Sequence, residues 1–317
     1  MTARADYRPI GTHRATSWRA TLKRTVLEFN EDHMTDWAAA LTYYGLLSLF
    51  PALIVLVAIV GLLGDPVSTT RSLTDLVGKL GPQSAVSTYA GPIKSITAHR
   101  TASGFLLVIG LLSALWAASG YVGAFMRAAN VVYETPEGRP FWKLRPLQMG
   151  VALAMVLLLA VVALALVLTG PIVHAVASSI GIGATATTIW NVAKWPVLLA
   201  LVLLIFAVLY HVAPNAKLPS FQWVTPGAVF AILVWIVASA AFALYVASFG
   251  SYDKTYGALG GVVVLLVWMW ISNCALLLGM ELNAERERSR ELERGAPGAE
   301  RELQLDARSA PKRQRTS

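Results

Sequence analysis

The chain has 317 residues, of which 56% are hydrophobic and 14% charged, with a net charge of +8 at pH 7. A soluble domain carries about 25% charged residues, so the composition excludes an ordinary water-soluble globule and points to a membrane class. The single cysteine, Cys274, excludes an intramolecular disulfide, and five scattered histidines without zinc-site spacing, together with the lack of a G-x-x-x-x-G-K-[ST] loop, give no metal, nucleotide or other cofactor to expect.

Residues 1–17 read as a disordered basic arm. From Trp18 to about Met34, the residues Trp18, Leu22, Thr25/Val26 and Phe29 fall at helical spacing, with Arg19, Lys23 and Arg24 on the other faces. This predicts a short helix on the membrane surface, basic side toward the headgroups, or an ordinary solvated helix before the first span. The first span, 37–63, contains no charge and follows a long polar arm, which makes a cleaved signal peptide a poor reading. At about 1.5 Å per residue it exceeds the ~30 Å hydrocarbon core. Pro51 removes a backbone donor in mid-span and supplies a cause for a bend.

Asp65 to Thr101 is too polar to span. Leu73, Leu76, Val77 and Leu80 mark one amphipathic face, and Val86, Tyr89, Ile93 and Ile96 another, broken at Gly81-Pro82. A hairpin of short interfacial helices, serving as packing or as a lid, fits. Further spans are expected at 103–125, 147–170, 193–212, 223–249 and 257–280, with 172–191 as a shallow or re-entrant segment. The fold class is therefore all-α: a polytopic membrane domain over 18–285 with six transmembrane helices, plus short amphipathic interfacial helices. Alternating acids and bases over Glu285–Arg294 predict a charged helix end projecting into water, and 286–317 closes in a disordered tail.

With six spans both termini share one side. Twenty of the 26 Lys and Arg residues fall on that side, so the positive-inside rule puts both termini in the cytoplasm. The basic ends flank membrane spans, which favours anionic headgroups over nucleic acid as their partners.

Ionisable and amide groups near spans are candidates for function. Asp253 and Lys254, flanked by Tyr252 and Tyr256 in the loop before Gly257, suit either a gate at the outer mouth or a tight turn anchored at the interface. Asn273, next to Ser272 in the last span, needs a partner; pairing with another helix and lining a solute path are the two readings. Together with Pro51, these residues form a candidate path or gate. Arg127 and Glu281 share an expected depth near helix ends and are a candidate ion pair. Arg139, Phe141, Trp142, Lys143 and Arg145 suit an interfacial belt, with Arg139, Trp142, Lys143 and Arg145 as candidate headgroup contacts. Gly257, Gly260 and Gly261 form a small-residue spacing for close helix packing, within one chain or in a homo-oligomer.

Four ordered motifs carry a family resemblance. Ala40-Leu-Thr-Tyr-Tyr-Gly-Leu-Leu-Ser-Leu-Phe-Pro51, Arg139-Pro-Phe-Trp-Lys143, Phe249-Gly-Ser-Tyr-Asp-Lys-Thr-Tyr-Gly257 and Leu278-Gly-Met-Glu-Leu-Asn-Ala284 resemble those of the YihY/BrkB family of bacterial inner-membrane proteins. The resemblance covers roughly residues 20–285 and implies six spans with cytoplasmic termini. Asp253 stands where that pattern more often has Asn, which weakens the case for a required carboxylate. The family has carried the label ribonuclease BN, but the sequence lacks the H-x-H-x-D-H motif of a metallo-hydrolase, so no enzyme is expected. The leading expectation is a passive or secondary transporter of lipid or small solute. The alternative is a structural or scaffolding envelope protein whose tail recruits partners.

Overall fold

In lipid every backbone N–H and C=O must be satisfied within the segment, which leaves long apolar runs the α-helix. The computed structural model describes residues 17–63, 100–167, 183–218, 221–248 and 258–310. Among these residues seven helices run in order: α1 (Trp18–Glu31), α2 (Met34–Leu63), α3 (Arg100–Val132), α4 (Phe141–Val167), α5 (Gly183–Val212), α6 (Pro226–Ser248) and α7 (Ala258–Glu293). Among the described residues the only β-type pairing is an isolated bridge between Ala216 and Ala307. Among the described residues five stretches, on α3 to α7, are long and apolar enough to cross a membrane. The 30-residue α2 covers the first expected span. The fold is the all-helical membrane architecture expected, with six spans as an approximate count.

The outward surface behaves as lipid-facing surface should. On α6, Val237 and Leu244 are 69% and 71% exposed, and α3, α4 and α5 carry similar unburied Leu and Val side chains. In water such continuous apolar area would drive association; in a bilayer it faces a solvent of its own kind. α2 packs chiefly on α3, and α7 on α6 and α2. The buried core gathers at the end of the bundle that carries α1 and the C-terminal segment, hereafter the terminal end. There Met34, Ala38 and Leu41 meet Phe125, Met126, Ala129, Leu277 and Met280.

Close approach of α6 and α7 depends on two glycines. A Cβ at Gly227 would strike the Gly279 carbonyl oxygen and the Asn283 side chain, and one at Gly279 would strike the Gly227 carbonyl oxygen. The glycine spacing expected to pack, at 257–261, is not where this contact lies. Around Gly261 there is open space, Gly260 is half-buried, and Gly257 lies outside the described residues.

Four expectations are corrected. The apolar spacing of α1 does not mark its buried face: Thr21 and Thr25 are buried while Trp18, Val26 and Leu27 stay exposed, and of the basic residues Arg19 and Lys23 are exposed whereas Arg24 turns in to Glu285. Hydrogen-bonding side chains facing α7, not apolar spacing, select its buried face. The end of α7 does not project into water either, because Glu285, Glu287, Arg288, Ser289 and Glu291 are buried. Residues 294–310 of the expected disordered tail fold back on the bundle. Ala307 bridges Ala216, Arg308 N donates to the Asn215 carbonyl (2.6 Å), and its guanidinium donates to the His211 carbonyl (2.7 Å). Finally, residues 183–191 belong to α5 and not to a shallow segment. The 65–99 hairpin and the loop with Tyr252, Asp253, Lys254 and Tyr256 lie outside the described residues. At position 51, the site of Pro51, the backbone is helical within α2.

Candidate functional site

Two polar regions stand out at the terminal end: a buried network beneath the bundle and a cleft on its side.

The network is built on the last turns of α7. Glu285, only 1% exposed, accepts from Arg24 Nε of α1 (2.7 Å) and lies 2.8 Å from Arg288 Nε. Arg24 also donates to Ser289 Oγ (2.7 Å). Arg288 reaches Glu134 Oε1 (2.8 Å), and Glu134 Oε2 accepts from the backbone of Leu303 (3.1 Å). Glu134 has φ of +50°, a left-handed conformation that costs a non-glycine residue about 1 kcal/mol. Closing α3 this way aims its carboxylate at both partners. Two acids of this region are held toward their neutral forms. Burial, partly offset by Arg288, pushes Glu28 up to about 7, and burial with the nearby Glu134 pushes Asp32 up to about 6.

Glu281 is 2% exposed among these groups, and its Oε2 has no hydrogen-bond partner within the protein. The expected pair with Arg127 does not form. Glu281 lies within the electrostatic reach of Asp32, Glu285, Glu28 and Arg288, whereas the Arg127 guanidinium lies over the Tyr44 ring, 6.0 Å from its centre. Shared depth did not mean a shared face of the bundle.

Motif residues hold helix ends here. Asn283 Oδ1 accepts from Gly227 N (2.9 Å) and its Nδ2 donates to Thr225 Oγ1 (3.0 Å), so it caps the start of α6. Arg139, expected at the headgroups, is a second correction. Its side chain is 8% exposed, bound to Glu137 (2.7 Å), and it donates to the Ala213 carbonyl at the end of α5 (2.9 Å). Burial alone would raise the Glu137 carboxyl, but Arg139 hydrogen bonds outweigh it and hold it below its usual value. A guanidinium is the natural partner for the unpaired carbonyls of a helix C-terminus. Trp142 and Lys143, on the first turn of α4, are exposed.

Asn273 ties three helices. Tyr121 Oη donates to its Oδ1 (2.8 Å), and its Nδ2 donates to Thr42 Oγ1 (3.1 Å). Of the two readings of this amide, the structure displays the inter-helix one.

The cleft, of about 360 Å³, lies among α2, α3 and α4 and is lined by Tyr44, Trp116, Gly120, Arg127, Arg145 and Gln148, among others. Arg145 stacks on Trp116, its guanidinium carbon 4.0 Å from the ring centre, and donates to Gln148 Oε1 (3.1 Å). Among the described residues no carboxylate lines the cleft. The site therefore offers two permanent cations and a large aromatic surface, suited to recognising a planar or tetrahedral anion. Among the described residues no group of three His, Cys, Asp or Glu is placed to hold a metal ion. Sequence reasoning singled out Arg127 and Arg145 separately and missed Trp116, Tyr44 and Gln148; the signal was an arginine near each of two helix ends joined by a short connection.

Residues 25–303 match the family model described as Virulence factor BrkB. A protein named as ribonuclease-like, YfkH of Bacillus subtilis, is 36% identical over 251 residues, 78% of this chain and 88% of that protein. The UPF0761 membrane protein VV0203 of Vibrio vulnificus is 25% identical over 305 residues, 92% of each chain. No solved structure matches significantly. The match spans every helix from the middle of α1 to the folded C-terminal segment, and the chain belongs to the BrkB family of membrane proteins.

Proposed function

We propose that this protein is a passive or secondary transporter of lipid or small solute in the bacterial inner membrane, with the terminal end in the cytoplasm. The observation that carries the reading is the cleft among α2, α3 and α4. It is a polar, cationic recess in a surface that is otherwise apolar and faces lipid, where a packed scaffold would place leucines. Ionisable groups in such positions mark paths for polar cargo. The excess of Lys and Arg at the terminal end supports the orientation. No catalytic step is assigned to the chain, and the ribonuclease-like name of one relative is a statement about that relative. The folded segment 294–310 weighs against the alternative, a scaffold that recruits partners through a free tail, because its backbone at Leu303, Gln304, Arg308 and Ser309 is bonded to the bundle.

The test is reconstitution of the purified protein in liposomes, assayed for movement of fluorescent phospholipid between leaflets and for solute leak. Movement above empty vesicles is the expected result. Rates equal to empty vesicles, from protein that restores function in cells, would overturn the reading.

A further inference from the structure

We propose that the α2–α3–α4 cleft is a binding site for a phosphate monoester carried by a lipid, with Arg127 and Arg145 as the phosphate contacts and Trp116 as the platform that presents Arg145. The inference deepens the transport reading and rests on it for what becomes of the lipid, but not for the binding itself.

Pairing at the terminal end is the first argument. Arg24, Arg139, Arg288 and Arg290 each have a carboxylate within 2.7–2.9 Å. Arg127 and Arg145 have none at ion-pair distance among the described residues, and they alone of the basic residues line this cleft. Two guanidinium groups that share one recess repel each other, and an anion between them relieves that repulsion. A phosphate monoester carries a charge of about −1.5 to −2 at pH 7, which matches two cations better than the single charge of a phosphodiester. The stack on Trp116 and the bond to Gln148 fix the Arg145 plane in advance, so little side-chain freedom is lost on binding. Gln148 is itself 7% exposed and backed by Gly123, where a Cβ would come within 3.0 Å of its Nε2.

The second argument is where the cleft opens. Trp116 is 60% exposed and Leu47 42%, and Leu112, one turn along α3 from Trp116, is 60% exposed. This is the surface assigned to lipid, so an anion that arrives with acyl chains has apolar ground for them beside the phosphate site. Inorganic phosphate shares the headgroup chemistry but leaves that ground unused.

The experiment is native mass spectrometry of the full chain in mixed micelles with phosphatidic acid, phosphatidylglycerol or phosphatidylcholine. Wild-type protein is expected to retain phosphatidic acid over the other two. Arg127→Gln and Arg145→Gln are each expected to weaken that retention by about tenfold or more, whereas Lys217→Gln, an exposed cation at the same end of the molecule but outside the cleft, leaves it unchanged. Arg145→Lys keeps the charge and guards against misfolding; it is expected to lose part of the preference, since the stacked planar fork is gone. Equal retention of the three lipids, or retention unaffected by the double Gln variant, would overturn the site. Displacement of phosphatidic acid by millimolar inorganic phosphate would overturn the lipid assignment. Retention lost in the variants, while wild-type vesicles move no lipid, sinks transport and leaves the site standing. Lipid movement with retention indifferent to both arginines sinks the site and leaves transport.

Discussion

The buried network and the cleft lie at the same end of the molecule and use the same residue, arginine, to opposite effect. Beneath the bundle Arg24 and Arg288 are matched to carboxylates and largely closed off from solvent, with Arg288 between Glu134 and Glu285. In the cleft the guanidinium groups rest on aromatic rings with no acid beside them. A buried charge that loses its partner is costly, and a charge at an open recess is not. The first arrangement therefore serves the fold, and the second leaves charge available for a ligand.

That contrast is broken most readily at Arg288. Replacing it with Ala leaves Glu134 without its cation and the buried Glu285 with Arg24 alone, and a loss of about 3 kcal/mol is expected. Melting of the detergent-solubilised protein reads it directly; a small change would mean that water reaches the network. Gly227→Ala comes next. The added methyl meets the Gly279 backbone and Asn283, so α6 must move from α7, and a destabilisation of about 2–3 kcal/mol follows. Asn273→Ala leaves the Tyr121 hydroxyl unpaired and frees Thr42, at a cost of about 1–2 kcal/mol. Equal stability of the Asn273 variant would return that residue to the list of path candidates.

The parts of this architecture that sequence revealed are those decided by solvent alone. An apolar run of 20 or more residues has one stable form in lipid, so the spans were readable from composition and length. The base was not readable, because its partners come from distant segments. Glu285 to Arg294 alternates in sign, the usual mark of a solvated helix, and nothing local says that Arg24, more than 250 residues earlier, turns to meet it. The tail misled for a related reason. Its Gly, Pro, Arg and Ser content signals disorder, yet Asn215, fully buried, draws the backbone at 308–309 onto the bundle. Glycine spacing was a weak guide, since 257–261 is far richer in small residues than Leu278-Gly-Met280, yet it is Gly279 that meets Gly227. One practical consequence follows: deletion of 286–317 removes Arg288 and Ser289 from the packed base, so it tests folding before it tests recruitment of a partner.

A gentler perturbation distinguishes the two regions by pH. Glu28 is raised to about 7 and Asp32 to about 6 in the folded chain, chiefly by burial, against about 4 when unfolded. The folded state then binds protons more tightly than the unfolded one, so between about pH 4 and 7 stability falls as pH rises. Glu28→Gln and Asp32→Asn should flatten that slope and leave the protein more stable at pH 8 than the wild type. A slope untouched by both substitutions would place its origin elsewhere in the base, at Glu281 or Glu291.

The smallest expected effect on stability is at the cleft, and its smallness is the point. Arg127→Gln or Arg145→Gln removes a cation that no acid balances, and relief of repulsion offsets the lost contact with Tyr44 or Trp116. Melting in phosphatidylcholine micelles should therefore change by no more than about 0.5 kcal/mol, with either sign allowed. Adding phosphatidic acid should raise the melting temperature of wild-type protein and not that of the double variant, because a ligand stabilises only the state that binds it. A loss of 2 kcal/mol or more without lipid would mean that these arginines hold the helices together, and the distinction between cleft and base would collapse.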